Sequence, residues 1–333
     1  MRKKVCIRKE ALPGAILTTL LSGMLLSVVQ VVVKPPLLLG ERLLPGWGGW
    51  FQLTLAALFG GWLYLQMFDR ERRGIWRRRI WMLFSIVFFT QLLLGIFADS
   101  VFLMSGKLHF PIPGLIPAGV FYRGEMSFMP FLFIVTILLS GGAWCSQLCY
   151  FGAWDNLAAG KTGRRERFSP GVRAKLRWTV LLLFILVASV LRVFDIPVIY
   201  SAVIAAFAGI TGGAVILFVS RKRHIAVHCS SYCPAGTLVM YLKYISPWRF
   251  GMNNRCLHCM ACTRVCRYGA LSKESVLRGH PEVNCTLCGD CLSACRHDAL
   301  EYRLWGVSPV LAERLWLGTT LVLFTCFLSI ARV

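Results

Sequence analysis

The sequence predicts an α-helical membrane protein of six or seven transmembrane helices that carries a small, cysteine-rich α+β module near its C-terminus. Three observations predict it. Apolar residues make up 56% of the 333 positions, gathered in long uncharged runs, and runs near twenty residues match the thickness of bilayer hydrocarbon. Lysine and arginine outnumber acidic residues 37 to 15, yet they alternate from loop to loop instead of forming one patch. Most of the 14 cysteines fall into two spaced patterns.

In chain order, six apolar runs read as spans, at about 11–33, 48–68, 80–98, 129–150, 178–194 and 197–219. A seventh candidate, about 314–331, follows the cysteine-rich module. It runs without a charge from Leu315 to Ile330, which favours spanning over lying in the interface. The first run is too long for an ordinary secretory h-region and no convincing small-residue cleavage site follows, so it reads as an uncleaved span. The predicted organisation is a transmembrane domain over 1–250, a module over 251–305 and a C-terminal helix over 306–333.

Charge sets the orientation. Arg2, Lys3, Lys4, Arg8 and Lys9 precede the first span, and Arg70, Arg72, Arg73, Arg77, Arg78 and Arg79 fill the second loop. Lys161, Arg164, Arg165, Arg167, Arg173, Lys175 and Arg177 fill the fourth loop, and Arg221, Lys222 and Arg223 follow the sixth span. The intervening loops hold only Lys34, Arg42, Lys107, Arg123 and Arg192. This alternation is the positive-inside pattern of a bacterial inner (cytoplasmic) membrane protein with its N-terminus and its module in the cytoplasm. A net charge of +22 would suggest nucleic acid in a soluble chain. Here the basic residues orient the helices, and nucleic acid is excluded as a partner.

The strongest motif is Cys256-x2-Cys259-x2-Cys262-x3-Cys266, repeated as Cys285-x2-Cys288-x2-Cys291-x3-Cys295. In such a run three thiolates wrap one cubane while the fourth reaches the neighbouring cluster. The expected assignment is therefore crossed. Cys256, Cys259, Cys262 and Cys295 hold one 4Fe–4S cluster, and Cys285, Cys288, Cys291 and Cys266 hold the second. Zinc knuckles also use C-x2-C pairs, but a structural zinc ion takes four ligands and does not call for this run. The halves match beyond the cysteines, with Cys266-Arg267-Tyr268-Gly269-Ala270-Leu271 against Cys295-Arg296-His297-Asp298-Ala299-Leu300. The module is a bacterial-type two-cluster ferredoxin, too small to fold on apolar burial alone and stapled by its clusters. Reducing conditions suit such thiolates, in agreement with the cytoplasmic placement.

The second pattern pairs Cys145-x3-Cys149 with Cys229-x3-Cys233, each at the cytoplasmic end of an even-numbered span. Spans three–four and five–six look like two copies of one helical hairpin. Within a helix this spacing puts both thiols about one turn apart on one face. Two facing pairs would hold a metal, a further cluster or redox-active disulfides, against the plainer reading of small packing residues. Cys6 and Cys326 have no partner pattern and read as inert.

Paired Cys-x3-Cys-Pro motifs after membrane hairpins, followed by a two-cluster module, resemble the polyferredoxin membrane proteins of the NapH and NosR type, over about residues 80–304. That family's relatives serve periplasmic nitrate reduction, nitrous oxide respiration and copper handling for cytochrome oxidase. Two departures stand out. Tyr150 takes the place of the family's proline, which Pro234 keeps, and Arg267 and Arg296 stand where soluble ferredoxins usually have proline. The flavin-binding extracytoplasmic domain of the nitrous oxide relatives has no counterpart.

No histidine falls inside the six spans, so axial haem ligation is not expected. The expected membrane partner is then quinone or quinol, as the resemblance also implies. Candidate quinone positions are an outer patch of Asp99, His109 and Glu125 and an inner patch of Asp155, His224 and His228, where a proton acceptor could serve. Positive charge from Arg267 and Arg296 would raise a cluster's potential, which suits electrons arriving from quinol. The leading expectation is electron transfer between the quinone pool and a redox protein partner, as a quinol-oxidising subunit of an oxidoreductase system. The competing one is a metal-reduction or metalloenzyme assembly factor that handles copper through Cys145, Cys149, Cys229 and Cys233.

Overall fold

The computed structural model describes residues 2–103, 112–160 and 167–330, with side chains from residue 9 onward. The chain runs through α1 (Arg2–Val32), a short α2 (Leu39–Leu43), α3 (Gly48–Met67) and α4 (Arg70–Phe97). It continues with α5 (Leu115–Arg123), α6 (Phe128–Ser140), α7 (Tyr150–Ala158), α8 (Pro170–Val193), α9 (Val198–Ala214), the single turn α10 (Arg221–Arg223) and α11 (Pro234–Leu242). Strand β1 (Arg249–Met252), α12 (Ala261–Val265), α13 (Lys273–Leu277), strand β2 (Leu300–Arg303) and α14 (Pro309–Ile330) complete it. β1 and β2 form a two-stranded sheet. The protein is mostly helical with little sheet.

Among the described residues, six helical stretches are long and apolar enough to cross a membrane: Lys9–Val32, Arg70–Phe97, Phe128–Leu148, Pro170–Val193, Val198–Arg223 and Pro309–Ile330. Their outward faces are what lipid requires. On α8 and α9, Leu182, Leu186, Phe207 and Ile210 are each more than half exposed. The C-terminal candidate is one of the six, whereas the expected second span, α3, is a 20-residue helix that does not meet the apolarity of the others. Its glycines, glutamines and tryptophans lower its hydropathy, and its packing explains them.

Two compact units divide the chain, Met1–His109 with Tyr302–Val333, and Phe110–Glu301. In the first, α3 lies antiparallel along α1. Gly61 and Gly14 of the pair are closed in by Thr19 and Tyr64, Gly23 faces Ala57, and Gly49 backs onto Gln30. Contacts at both ends of α3 also fix its direction against α14, where Tyr64 Oη donates to the Arg314 carbonyl at 3.4 Å and Gln52 Nε2 to the Ser329 carbonyl at 2.8 Å. α14 runs with α1, pairing Arg314 with Glu10 at 2.8 Å, and with α4, whose Arg73 pairs with Glu313 at 2.7 Å and whose Phe84 meets Phe324 edge-on at 6.2 Å. Cys326 packs beside the Leu26, Leu38 and Leu53 cluster.

The basic loops begin their helices earlier than the sequence reading placed them. Asp69 caps α4 by accepting from the Glu71 amide at 3.0 Å, so Arg70 to Arg79 are helical rather than loop. Ser169 caps α8 with Pro170 in its first turn, and Arg173 and Arg177 are likewise helical. In each case an N-cap residue outweighs the run of charges behind it. The i, i+4 pairs Arg73/Arg77 and Arg173/Arg177 then fall on one face, and all four are buried. The paired hairpin reading is also modified, since α4 belongs to the first unit and α6 to the second.

Candidate metal centre

Residues 253–301 repeat their backbone at an interval of 29. His258 and Met260 take positive φ (52° and 60°), as do Leu287 and Gly289 (57° and 76°) and, after the fourth cysteines, Gly269 and Asp298 (62° and 47°). Non-glycine residues enter this region at a cost, so His258, Met260, Leu287 and Asp298 taking it at matched places marks a shape the loops must keep. Such residues turn successive amides inward, making a concavity suited to anionic sulfur. Two of those amides reach equivalent thiols: Ala270 donates to Cys266 Sγ at 3.2 Å and Ala299 to Cys295 Sγ at 3.4 Å.

Each copy shapes a cavity. One is lined by Cys256, Cys259, Cys262 and Cys295. The other is lined by Cys266, Cys285, Cys288 and Cys291. These are the two crossed sets expected from the spacing. Among the described residues, no group of three or more His, Cys, Asp or Glu side chains stands close enough to hold a single metal ion. Four thiols around one space, without single-ion spacing, suit a multi-iron cofactor, in which each sulfur binds a different iron. Burial first, then neighbouring thiols, pushes Cys262 up to about 11 and Cys291 well above the ordinary thiol range. Bound iron would offset the cost of holding thiolates there. The residues present fit a 4Fe–4S cluster at each cavity.

The surroundings of the two cavities differ. Beside the Cys285 loop, Lys243 Nζ donates to the carbonyls of Val283 at 2.6 Å and Cys285 at 2.7 Å, and burial pushes its pKa down to about 8. Arg267 is buried and donates to Asn156 Oδ1 at 2.5 Å, whereas its counterpart Arg296 is exposed. From α8, Arg173 pairs with Glu282 at 2.7 Å and donates to the Gly269 carbonyl at 3.2 Å, while Arg177 bonds Asn284. Buried cations, Lys243 and Arg267, therefore lie beside the second cavity. The sequence reading took Arg173 and Arg177 as orienting loop charges and did not single out Lys243 or Asn284. The four-residue interval of the arginines was the available signal.

The Cys-x3-Cys pairs adopt one geometry twice, but not the continuous helix expected of them. Cys145 and Cys229 lie in wide π-type turns (Trp144–Leu148 and His228–Tyr232), and the second cysteine of each pair is extended (Cys149 φ −90°, ψ 118°; Cys233 φ −74°, ψ 122°). Proline disfavours helical backbone at the residue before it, which accounts for Cys233 ahead of Pro234. Tyr150 imposes no such limit. There a bond from the Cys149 amide to the Trp144 carbonyl at 3.0 Å, matched by Cys233 to His228 at 2.8 Å, holds the same break. Cys149 and Cys233 then start the nine-residue helices α7 and α11. Each turn packs on the helix that follows the other turn. All four thiols are buried, and the Cys229 thiol is raised by burial first, then by the charges of Asp155, Cys145, Cys149 and Cys233.

The inner patch forms in part. Asp155 and His228 are buried together, and Asp155 Oδ2 accepts from the Cys229 amide at 2.8 Å. Burial raises the Asp155 pKa and lowers that of His228, each opposed by the other's charge. The His228 ring lies between Phe151 at 5.7 Å and Tyr232 at 5.4 Å. His224 is half-buried. Of the outer patch, Asp99 and Glu125 are exposed and His109 lies outside the described residues. A groove that sequence reasoning missed opens beside Cys285 and Leu287, bordered by Tyr244, Trp248, Phe250 and His280.

Comparison with known proteins adds one finding. A family model described as a 4Fe–4S binding domain matches residues 124–169. No curated protein matches, and no solved structure matches. The family match marks the chain as an iron–sulfur protein. Six helices long and apolar enough to cross a bilayer make it a membrane protein by length and composition.

Proposed function

We propose that this protein carries electrons between the quinone pool and a redox enzyme partner, using two 4Fe–4S clusters held in a ferredoxin module on the cytoplasmic side of a bacterial inner membrane. The observation that carries the reading is the pair of cavities, each lined by three cysteines of one motif and the fourth of the other. When bound, 4Fe–4S clusters supply one-electron redox chemistry at thiolate-ligated iron. Cys256, Cys259, Cys262 and Cys295 would hold one, and Cys266, Cys285, Cys288 and Cys291 the other. The Ala270 and Ala299 amides donate to ligand sulfurs and stabilise their negative charge. Lys243 fixes the Cys285 loop by two carbonyls.

Helix directions support the orientation. α1, α4 and α14 run one way and α3 the other, as a chain with a cytoplasmic N-terminus and basic inner loops requires. The groove beside Cys285 supports a quinone partner, because it offers aromatic walls with His280 and the Tyr244 hydroxyl for a quinone's polar ring.

The test is reduction of the holoprotein in vesicles by a short-chain quinol, read by bleaching of cluster absorbance and by reduced-cluster resonance. Quinol should reduce the wild type, and Cys256→Ser with Cys288→Ser should abolish both signals. Reduction by a cytoplasmic ferredoxin or flavodoxin but not by quinol would reverse the flow and favour the metal-reduction reading.

A further inference from the structure

We propose that Cys145, Cys149, Cys229 and Cys233 together ligate a third iron–sulfur cluster of the 4Fe–4S class. The proposal goes beyond the electron-carrier reading and does not depend on quinone. The residues matched by the 4Fe–4S family model, 124–169, contain Cys145 and Cys149 and no other cysteine. Two thiolates cannot complete a cubane, which takes four. The fold supplies the missing pair. The two turns are copies of one another, and their reciprocal packing on α7 and α11 brings Cys229 and Cys233 to the first pair.

The donor set selects the class of ligand. Four thiolates suit zinc, copper(I) or an iron–sulfur cluster. The described residues hold no trio at single-ion spacing, which suits a cluster, where each sulfur binds a different iron, better than one shared ion. Further features repeat the ferredoxin loops. The Gly236 amide donates to Cys233 Sγ at 3.4 Å, as Ala270 does to Cys266. Cation charge lies close by: Arg177 Nε donates to the Ser230 carbonyl, within the second turn, at 2.5 Å. A four-thiolate cluster is anionic and needs such compensation when buried.

The site adjoins the second ferredoxin cavity. Tyr268 Oη donates to the Cys145 carbonyl at 3.2 Å, and Ser146 Oγ to the Thr286 carbonyl at 3.1 Å. Gly142 lies against Thr286 and the Cys285 carbonyl, leaving no room for a side chain. One hydrogen bond thus separates the turn carrying Cys145 from the loop carrying Cys285 and Cys288.

The experiment is iron and acid-labile sulfide analysis of anaerobically purified full-length protein. Three cubanes give about twelve iron atoms per chain, and two give about eight. The double variant Cys145→Ala/Cys229→Ala should lose about four irons and keep both ferredoxin resonance signals, which act as its folding control. If that variant loses every signal, Cys233→Ser decides the matter, since a serinate ligand would shift one set of signals and leave the ferredoxin signals alone. Eight irons with a wild-type spectrum in the variants, one stoichiometric zinc or copper lost with Cys145 and Cys229, or cystines among the four thiols would each overturn the proposal. Wild-type protein that keeps about four irons after loss of both ferredoxin clusters would sustain it even if the ferredoxin reading failed.

Discussion

At the residue scale, the crossed pairing makes the sharpest demand. Cys266 follows the first three-cysteine loop in sequence but lines the cavity of the second, and Cys295 does the reverse. Cys266→Ser should therefore perturb the resonance of the same cluster as Cys288→Ser, and Cys295→Ser that of the same cluster as Cys259→Ser. Pairing each fourth cysteine with its own loop would refute the assignment. The two clusters should also differ in potential. Lys243 and buried Arg267 adjoin the Cys285 set, while Arg296 beside the other is exposed. Positive charge favours the reduced state, so the Cys266/Cys285/Cys288/Cys291 cluster should titrate higher, and Lys243→Met should lower that potential alone. A redox titration followed by resonance reads both outcomes. The grouping of the cysteines around two cavities was legible from their spacing, because a loop that wraps one site constrains sequence directly. The asymmetry was not, since it arises from residues far apart in the chain.

Among the elements, long apolar helices were legible and their beginnings were not. Hydropathy marks where lipid starts, whereas Asp69 and Ser169 mark where the helices start. The first turns of those helices carry Arg73, Arg77, Arg173 and Arg177, which read as orienting loop charge and are in fact buried. The Cys-x3-Cys motifs failed in a related way. Periodicity favours continuing the helix through them, and local amide bonds to Trp144 and His228 break it. Arg173 tests how much these buried charges matter. Its side chain is 4% exposed and pairs with Glu282 at 2.7 Å, and removing one partner of a buried pair typically costs about 3–5 kcal/mol. Arg173→Leu should lower the unfolding free energy in detergent by about 3 kcal/mol, near the lower end of that range, because Glu282 keeps some solvent contact. A change within 0.5 kcal/mol, about the size of an ordinary surface substitution, would show the pair to be solvated.

For the whole molecule, the question is how many times the chain crosses. Six helices meet the length and apolarity of a span, and six crossings in chain order without α3 would leave the Arg70–Arg79 helix turns outside. That contradicts the charge pattern, which needs those residues inside. α3 resolves the conflict. At 20 residues it extends about 30 Å, enough to cross, and it runs back along α1 with glycines on the shared face. Small residues allow helices to approach closely in lipid, so its lower hydropathy reflects a face buried against other helices. On this reading the chain should cross seven times, with the start of α1 and the end of α14 on opposite sides. A reporter active only in the periplasm should work when fused at residue 45 or after Val333, and stay silent after Asp69 or Arg223. Activity after Asp69 would remove α3 as a span and overturn the orientation. Silence after Val333 would instead place α14 in the interface and leave the cytoplasmic side of the cysteine module unchanged.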